Sequence, residues 1–399
     1  MATRSTDIAV IGAGAAGLSL AWRLLDPPPG VRAPAVVLVD APPGPLRPPE
    51  RTWCFWEPGH GEYDRLLTAD WSRLRVRDGE GDGAAHDLGA LRYKMLRSGD
   101  FADGLRPRLA GLERIEAVVE GVGDRPDGAE VLCRTADGSA LTLRARWVYD
   151  SRPPAVAPAA RVSLLQHFRG WFVRTERPVF DPGTVELMDF RTPQPGHGLS
   201  FGYVLPTGRR EALVEYTEFG RAPLSDRSYD RALHHYTGHV LRLGAFRVTA
   251  TEQGAIPMTD GRHPRRHGRH VFPIGAAGGA VRPSSGYAFA AIQRQTRAVA
   301  RALHHGGRPE PPPAYPARSL AMDALLLHGL DSGRIAGPEF FTRLFDAVPA
   351  DRLLRFLDGQ TGWAEEVSVG LRTPVRAMLR TAAGLPRLSR RTPPRETAP

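Results

Sequence analysis

Cysteine and lysine are nearly missing from this 399-residue chain. Its two cysteines, Cys54 and Cys133, give neither a metal-ligand spacing nor a disulfide framework, so a reducing cytoplasm is the expected setting. The 13 histidines show no HExxH and no paired ligand spacing, and no structural metal is expected. His234-His235 and His304-His305 read as exposed helix faces. No uncharged apolar run reaches the roughly 18 residues that a membrane-spanning helix needs. The start of the chain enters an apolar strand without a charged leader, so no signal peptide is expected. Of the 53 basic residues, only Lys94 is a lysine. Arginine, alanine, glycine and proline are abundant together, the mark of a GC-rich coding bias. The formal charge of +10 therefore does not by itself imply a nucleic-acid partner, and none is expected. The densest basic stretch is C-terminal. It fits either a plain solvated surface or contact with an anionic membrane face.

What the chain does contain is ordinary globular material, 42% apolar and 24% charged, long enough for a nucleotide domain plus a substrate region. Asp7 to Ile11 is a short apolar strand. Gly12-Ala13-Gly14-Ala15-Ala16-Gly17 follows as a GxGxxG turn opening a helix, and Ala35 to Val39 is a second strand ending in Asp40. In such a βαβ unit the first glycine permits the tight turn and the second admits a pyrophosphate to the backbone. The third lets helix and strand pack closely. The helix N-terminus adds partial positive charge, and Asp40 is placed to accept from an adenosine ribose. A dinucleotide site is the reading.

Two later stretches favour FAD over NAD. Val148-Tyr149-Asp150-Ser151-Arg152 is an apolar-to-acid segment of the kind that returns to an FAD site. Gly275-Ala276-Ala277-Gly278-Gly279 is a second glycine-rich turn between strand and helix. Many flavin hydroxylases carry Asp where this chain has Ala276.

The remaining pattern is coarse. Residues 91–118 read as helices, and 130–133 with 141–148 as a hairpin about Asp137-Gly138. From 160 to 260 alternating stretches predict an antiparallel sheet. Residues 319–380 read as mostly helical. The expected domains are 1–155 and 263–310 for the FAD-binding part, 156–262 for the substrate sheet, 311–385 for a helical region, and 386–399 as a disordered tail.

Five stretches together resemble the bacterial flavin-dependent lycopene β-cyclases. They are the GxGxxG unit; Arg51-Thr52-Trp53-Cys54-Phe55-Trp56-Glu57; Gln166-His167-Phe168-Arg169-Gly170-Trp171 with Phe180-Asp181-Pro182 and Leu187-Met188-Asp189-Phe190; Tyr203-Val204-Leu205-Pro206 with Leu213-Val214-Glu215-Tyr216-Thr217; and Gly275 to Gly279 with Pro283-Ser284-Ser285-Gly286-Tyr287. Cys54 departs from the expected Ser. The lack of an acid at Ala276 fits the family.

The resemblance implies an α/β fold: a Rossmann-like FAD-binding domain of the GR2 flavoprotein type, an inserted antiparallel substrate sheet, and a helical C-terminal part. It also implies a non-redox isomerisation of lycopene that nevertheless needs reduced FAD, with NAD(P)H as reductant. Glu215 matches the family's essential acid, and an apolar strand is where a carboxyl stays protonated. Asp189 matches an essential Met-Asp pair, either supporting Glu215 or taking the departing proton. Glu57, Trp171, Tyr203 and Tyr287 are candidate pocket residues, and Arg51 a candidate FAD-phosphate contact. A flavin hydroxylase, a prenyl reductase and a non-enzymatic prenyl-lipid carrier are the alternatives. The insoluble substrate makes peripheral membrane association an expectation.

Overall fold

The structure is a computed structural model and describes residues 2–392. The chain opens with β1 (Ala2–Ile11), α1 (Ala15–Leu25) and β2 (Val36–Asp40). Next come β3 (Thr52–Pro58), β4 (Ala69–Trp71), β5 (Arg73–Arg77), β6 (Ala85–Asp87), β7 (Leu91–Arg97) and α2 (Ser98–Leu105). Strands β8 (Glu113–Arg125), β9 (Gly128–Thr135) and β10 (Ala140–Asp150) return toward β1. Then follow β11 (Ser163–Thr175), β12 (Thr184–Asp189), β13 (Leu199–Pro206), β14 (Glu211–Gly220), α3 (Asp226–His235) and β15 (Phe246–Thr259). The last strand is β16 (Val271–Pro273). Helices α4 (Phe289–His304), α5 (Ala317–Asp331), α6 (Gly337–Ala347), α7 (Ala350–Leu357), α8 (Trp363–Gly370) and α9 (Val375–Gly384) complete the described chain.

These strands form three sheets. In the first, β1 pairs in parallel with β2 and β10, and β10 pairs in parallel with β16. The end of β1, Ile8 to Ile11, is buried on both faces, as a parallel strand beneath helices must be. The second sheet runs β15-β11-β14-β13-β12-β5-β6. One of its faces packs on α3 through Val214, Tyr216, Tyr229 and Leu233. The other shares a core with α5, α6 and α7. The third sheet, β3-β7-β4, lies between the two larger units. Alternation along β3 explains how it joins them. Phe55 belongs to the nucleotide-domain core and Trp53 packs against it, beside Phe101 and Phe289. Trp56 belongs to the core of the second sheet, and Cys54 packs against that core.

Three expectations are corrected. Residues 91–97 form β7, not helix: Tyr93, Lys94, Met95 and Leu96 are all buried, and their pairing with both β3 and β4 overrides local propensity. Strands β5 and β6 fall inside the stretch assigned to the FAD-binding part, yet they extend the second sheet, because β5 pairs in parallel with β12. Residues 386–392, expected to be disordered, include a bridge between Arg391 and Ala160, and Arg390 pairs with Asp260. The remainder of the expected tail, 393–399, lies outside the described residues.

Candidate active site

The first half of the site is the turn after β1. Gly12 has φ +94°, a conformation costly for residues with a side chain, and its N–H donates to the Val39 carbonyl at 2.8 Å. A Cβ at Gly17 would fall 1.8 Å from the Gly12 carbonyl oxygen, so only glycine lets α1 sit this close to the turn. A Cβ at Gly14 would meet nothing within 4 Å. No side chain caps α1 and no acid lies in its first turn, leaving its positive end available to an anion. Asp40 accepts from the Ala13 N–H at 3.1 Å and pairs with Arg47. Asp150 ends β10 opposite Ile11 and pairs with Arg152 at 2.8 Å.

The late turn abuts the first. Gly275 has φ +65°, and a Cβ there would lie 2.9 Å from that of Ala16. Gly278 faces the Pro273 carbonyl, where a Cβ would sit 2.6 Å from the oxygen. Gly279 has φ +76°. On the loop after this turn and on β11, Ser285 Oγ and Gln166 Oε1 are buried with no hydrogen-bond partner, the latter 2.6 Å from where a Cβ at Gly286 would sit, although buried polar atoms are normally satisfied. An open helix N-terminus, a side-chain-free approach and unpaired buried polar atoms are what a bound dinucleotide with polar groups would meet. The residues fit such a group.

The second half of the site is built by register. Tyr203 on β13 opposes Glu215 on β14, Glu215 opposes Gly170 on β11, and Gly170 opposes Glu252 on β15. Opposed residues share a face, so these four form one row across the second sheet, on the side away from α3. At Gly170 a Cβ would lie 2.8 Å from Glu215 Cγ, and the bare backbone instead lets two carboxyls meet across an intervening strand. Glu215 is 6% exposed. Burial, the Glu252 charge and a hydrogen bond with Glu252 all hold its carboxyl well above the usual carboxylate range. Thr52 on β3 donates its hydroxyl to Glu252 at 2.7 Å.

Aromatic hydroxyls close over the row. The Tyr93 hydroxyl lies 2.7 Å from that of Tyr203 and 2.6 Å from that of Tyr287. Trp56 meets Tyr287 edge-on, with ring centroids 4.7 Å apart. Burial pushes the Cys54 thiol up to about 12, so it remains a neutral thiol here. The loop that presents Tyr287 is pinned to α5, since Asp323 pairs with the buried Arg282 at 2.8 Å and accepts from Ser284 at 2.7 Å.

The profile of the family described as lycopene cyclase protein matches residues 7–383. The chain belongs to the lycopene cyclase family. Among solved structures it resembles a geranylgeranyl bacteriochlorophyll reductase-like protein from Thermoplasma acidophilum, at TM-score 0.60 and 11% identity over 96% of this chain and 99% of that one. It also resembles the flavin-dependent brominase Bmp2, at 0.60 and 14% over 94% and 100%. A flavoprotein/dehydrogenase from Cytophaga hutchinsonii matches at 0.59 and 13% over 96% and 100%. No curated protein is matched by sequence. At these identities the structures establish the fold, that of the GR2-type flavoproteins.

In this cyclase-family chain the expected site residues separate into groups. Gly12, Gly14, Ala15, Ala16, Gly17, Asp40 and Asp150 stand with Gly275, Gly278 and Gly279 around the paired turns. Glu215, Tyr203 and Tyr287 come together on the sheet row. Four others are placed away from it. Asp189 opposes Gly202, whose Cβ would strike Tyr236, so it faces α3. There the fully buried Asp189 binds Arg191 at 2.5 Å and accepts from Tyr236 at 2.8 Å. Trp171 also faces α3, against His234. Glu57 lies on the Phe55 side of β3 and accepts from the buried Lys94 at 3.0 Å. Arg51 donates to the Gln253 carbonyl of β15 at 2.6 Å. His167, part of the same motif as Gly170, is held neutral by burial, with its imidazole lowered to about 4.

The placement of Asp189 gives a test. Asp189→Asn removes one partner of a buried ion pair and should cost about 3 kcal/mol of stability. The melting temperature should fall, while activity per folded molecule stays within a few-fold of the parent. A large loss of activity in fully folded Asp189→Asn would instead place this carboxylate in the chemistry.

Sequence reading missed Glu252, Thr52, Tyr93 and the role of Gly170. One signal was present: a glycine inside an apolar strand marks a close approach. It did not say what approaches.

Proposed function

We propose that this chain closes the acyclic ends of lycopene into β-rings, giving γ-carotene or β-carotene. The observation that carries the reading is Glu215: a buried carboxyl, kept protonated, on the floor of a site roofed by aromatic rings in a chain of this family. Alkene protonation needs a positioned acid that survives near neutral pH, and desolvation provides one. Glu215 gives its proton to the terminal double bond. An inner double bond attacks the resulting cation and forms the ring bond, and a ring proton leaves. Atoms and electrons are conserved, so the product is an isomer. The π faces of Trp56, Tyr93 and Tyr287 attract a cation, and exclusion of water prevents its capture.

FAD would be held by Gly12 to Gly17, Asp40 and the turn Gly275 to Gly279, with Gln166 and Ser285 as polar partners. When bound and reduced, with NAD(P)H as the electron source, it supplies negative charge that stabilises a cation electrostatically. Incubating the purified, flavin-loaded protein with lycopene under reducing and oxidising conditions tests the reading. Cyclisation gives a product of unchanged mass under reducing conditions. A changed mass would favour reduction or hydroxylation of a lipophilic substrate, the alternative that the fold neighbours support. The intact paired turns weigh against a flavin-free carrier.

We also propose peripheral membrane contact through α8 and α9. Among the described residues, no helix is long and apolar enough to cross a membrane. Yet Trp363, Leu371 and Leu379 are 74%, 68% and 65% exposed, with Val367 and Val375 beside them in the same stretch. Arg372, Arg376 and Arg380 are interleaved with them. Apolar side chains among arginines suit an anionic lipid interface. The double variant Leu371→Ser, Leu379→Ser should lower the partition onto anionic vesicles by about a hundredfold or more, since each buried leucine is worth about 1.5–3 kcal/mol. Unchanged binding would remove this surface from consideration.

A further inference from the structure

Glu215 gives up a proton to the substrate and must regain one. Its strand neighbours on the row are Tyr203 and, across Gly170, Glu252. Around it, β3 contributes Cys54 and Thr52, β7 contributes Tyr93, and the loop before α4 contributes Tyr287. On β15's side Arg51 is engaged with the Gln253 carbonyl, and Arg97, opposite Thr52 in the β3–β7 pairing, lies over the Phe172 ring. Among these groups only Glu252 is a second carboxyl, and it is partly exposed where Glu215 is buried.

We propose that Glu252 is the proton partner of Glu215, the two carboxyls sharing one proton across Gly170. The Glu215 O–H bond breaks as the new C–H bond forms on the terminal alkene. The electron pair of the inner double bond makes the ring C–C bond. The ring C–H bond then breaks, its electrons become the ring double bond, and its proton goes to the carboxylate pair. Transfer along the Glu215–Glu252 hydrogen bond returns it to Glu215. The pair starts and ends with one proton, so the isomerisation needs no net acid. Gly170 is the structural requirement, because a Cβ there would intrude 2.8 Å from Glu215 Cγ.

This inference rests on the cyclase reading for its chemistry, but its test does not. The probe is the infrared carbonyl band of protonated carboxyl groups in the flavin-loaded protein, titrated over pH without lycopene. The component lost in Glu215→Gln identifies Glu215. In Glu252→Gln the neighbouring charge is gone, so Glu215 ionises more easily. Its band should disappear at a pH about one unit or more lower than in the parent. The high-pH limb of ring formation should move down by the same amount, about a tenfold loss at the parent's upper limit. Glu252→Asp, one methylene shorter, should shift the band in the same direction by less, and it decides the matter if Glu252→Gln holds no flavin. A Glu215 band that titrates as in the parent in both variants overturns the shared proton. A shifted band in a protein that leaves lycopene unchanged supports the pair and refutes the cyclase reading.

Discussion

Glu215→Gln should leave the flavin bound and the fold intact while reducing ring formation by about a thousandfold, the middle of the range for loss of a general acid. The substitution is close to neutral for packing. Glu215 is held uncharged by burial and by Glu252, so an amide of the same shape replaces a neutral carboxyl. Stability should change by no more than about 1 kcal/mol. What disappears is the transferable proton. Pigment chromatography, flavin absorbance and thermal unfolding on one preparation read the three quantities separately. Ring formation within tenfold of the parent would remove Glu215 from the acid role.

Gly17→Ala should abolish flavin binding and destabilise the protein by about 3 kcal/mol or more, because the added Cβ meets a backbone atom that cannot rotate aside. That Cβ would lie 1.8 Å from the Gly12 carbonyl oxygen, and relief requires moving α1 off the turn. Gly14→Ala is the informative contrast. Its Cβ meets no protein atom within 4 Å, so the apoprotein should melt within about 1 kcal/mol of the parent. It should still bind FAD more weakly, since the methyl group occupies the face left open to a pyrophosphate. Equal flavin content in Gly14→Ala and the parent would show that the dinucleotide approaches elsewhere.

The nucleotide turns were legible in sequence because their chemistry is local. Gly12, Gly14 and Gly17 are close neighbours, and backbone sterics within that stretch explain Gly12 and Gly17. Glu215 was legible as an acid in an apolar strand. Its partner was not, because Glu252 meets it only through the register of three strands, and Gly170 carries no side chain to announce the meeting. Asp189 shows the converse. Its apolar surroundings resemble those of Glu215, yet a bulged pairing between β12 and β13 turns it to the opposite face, where Arg191 neutralises it. Glu57 and Trp171 lie off the row for the same reason, since alternation decides which face a side chain takes but not which face holds the row. Strand β7 was read as helix because its pairing partners lie tens of residues away.

Expression in a lycopene-accumulating bacterial host, followed by pigment chromatography, tests the central claim most directly. The parent protein should convert lycopene into cyclic isomers of unchanged mass, and Glu215→Gln, folded and flavin-loaded, should leave the lycopene intact. Unchanged lycopene beside a folded, flavin-loaded parent protein would contradict it.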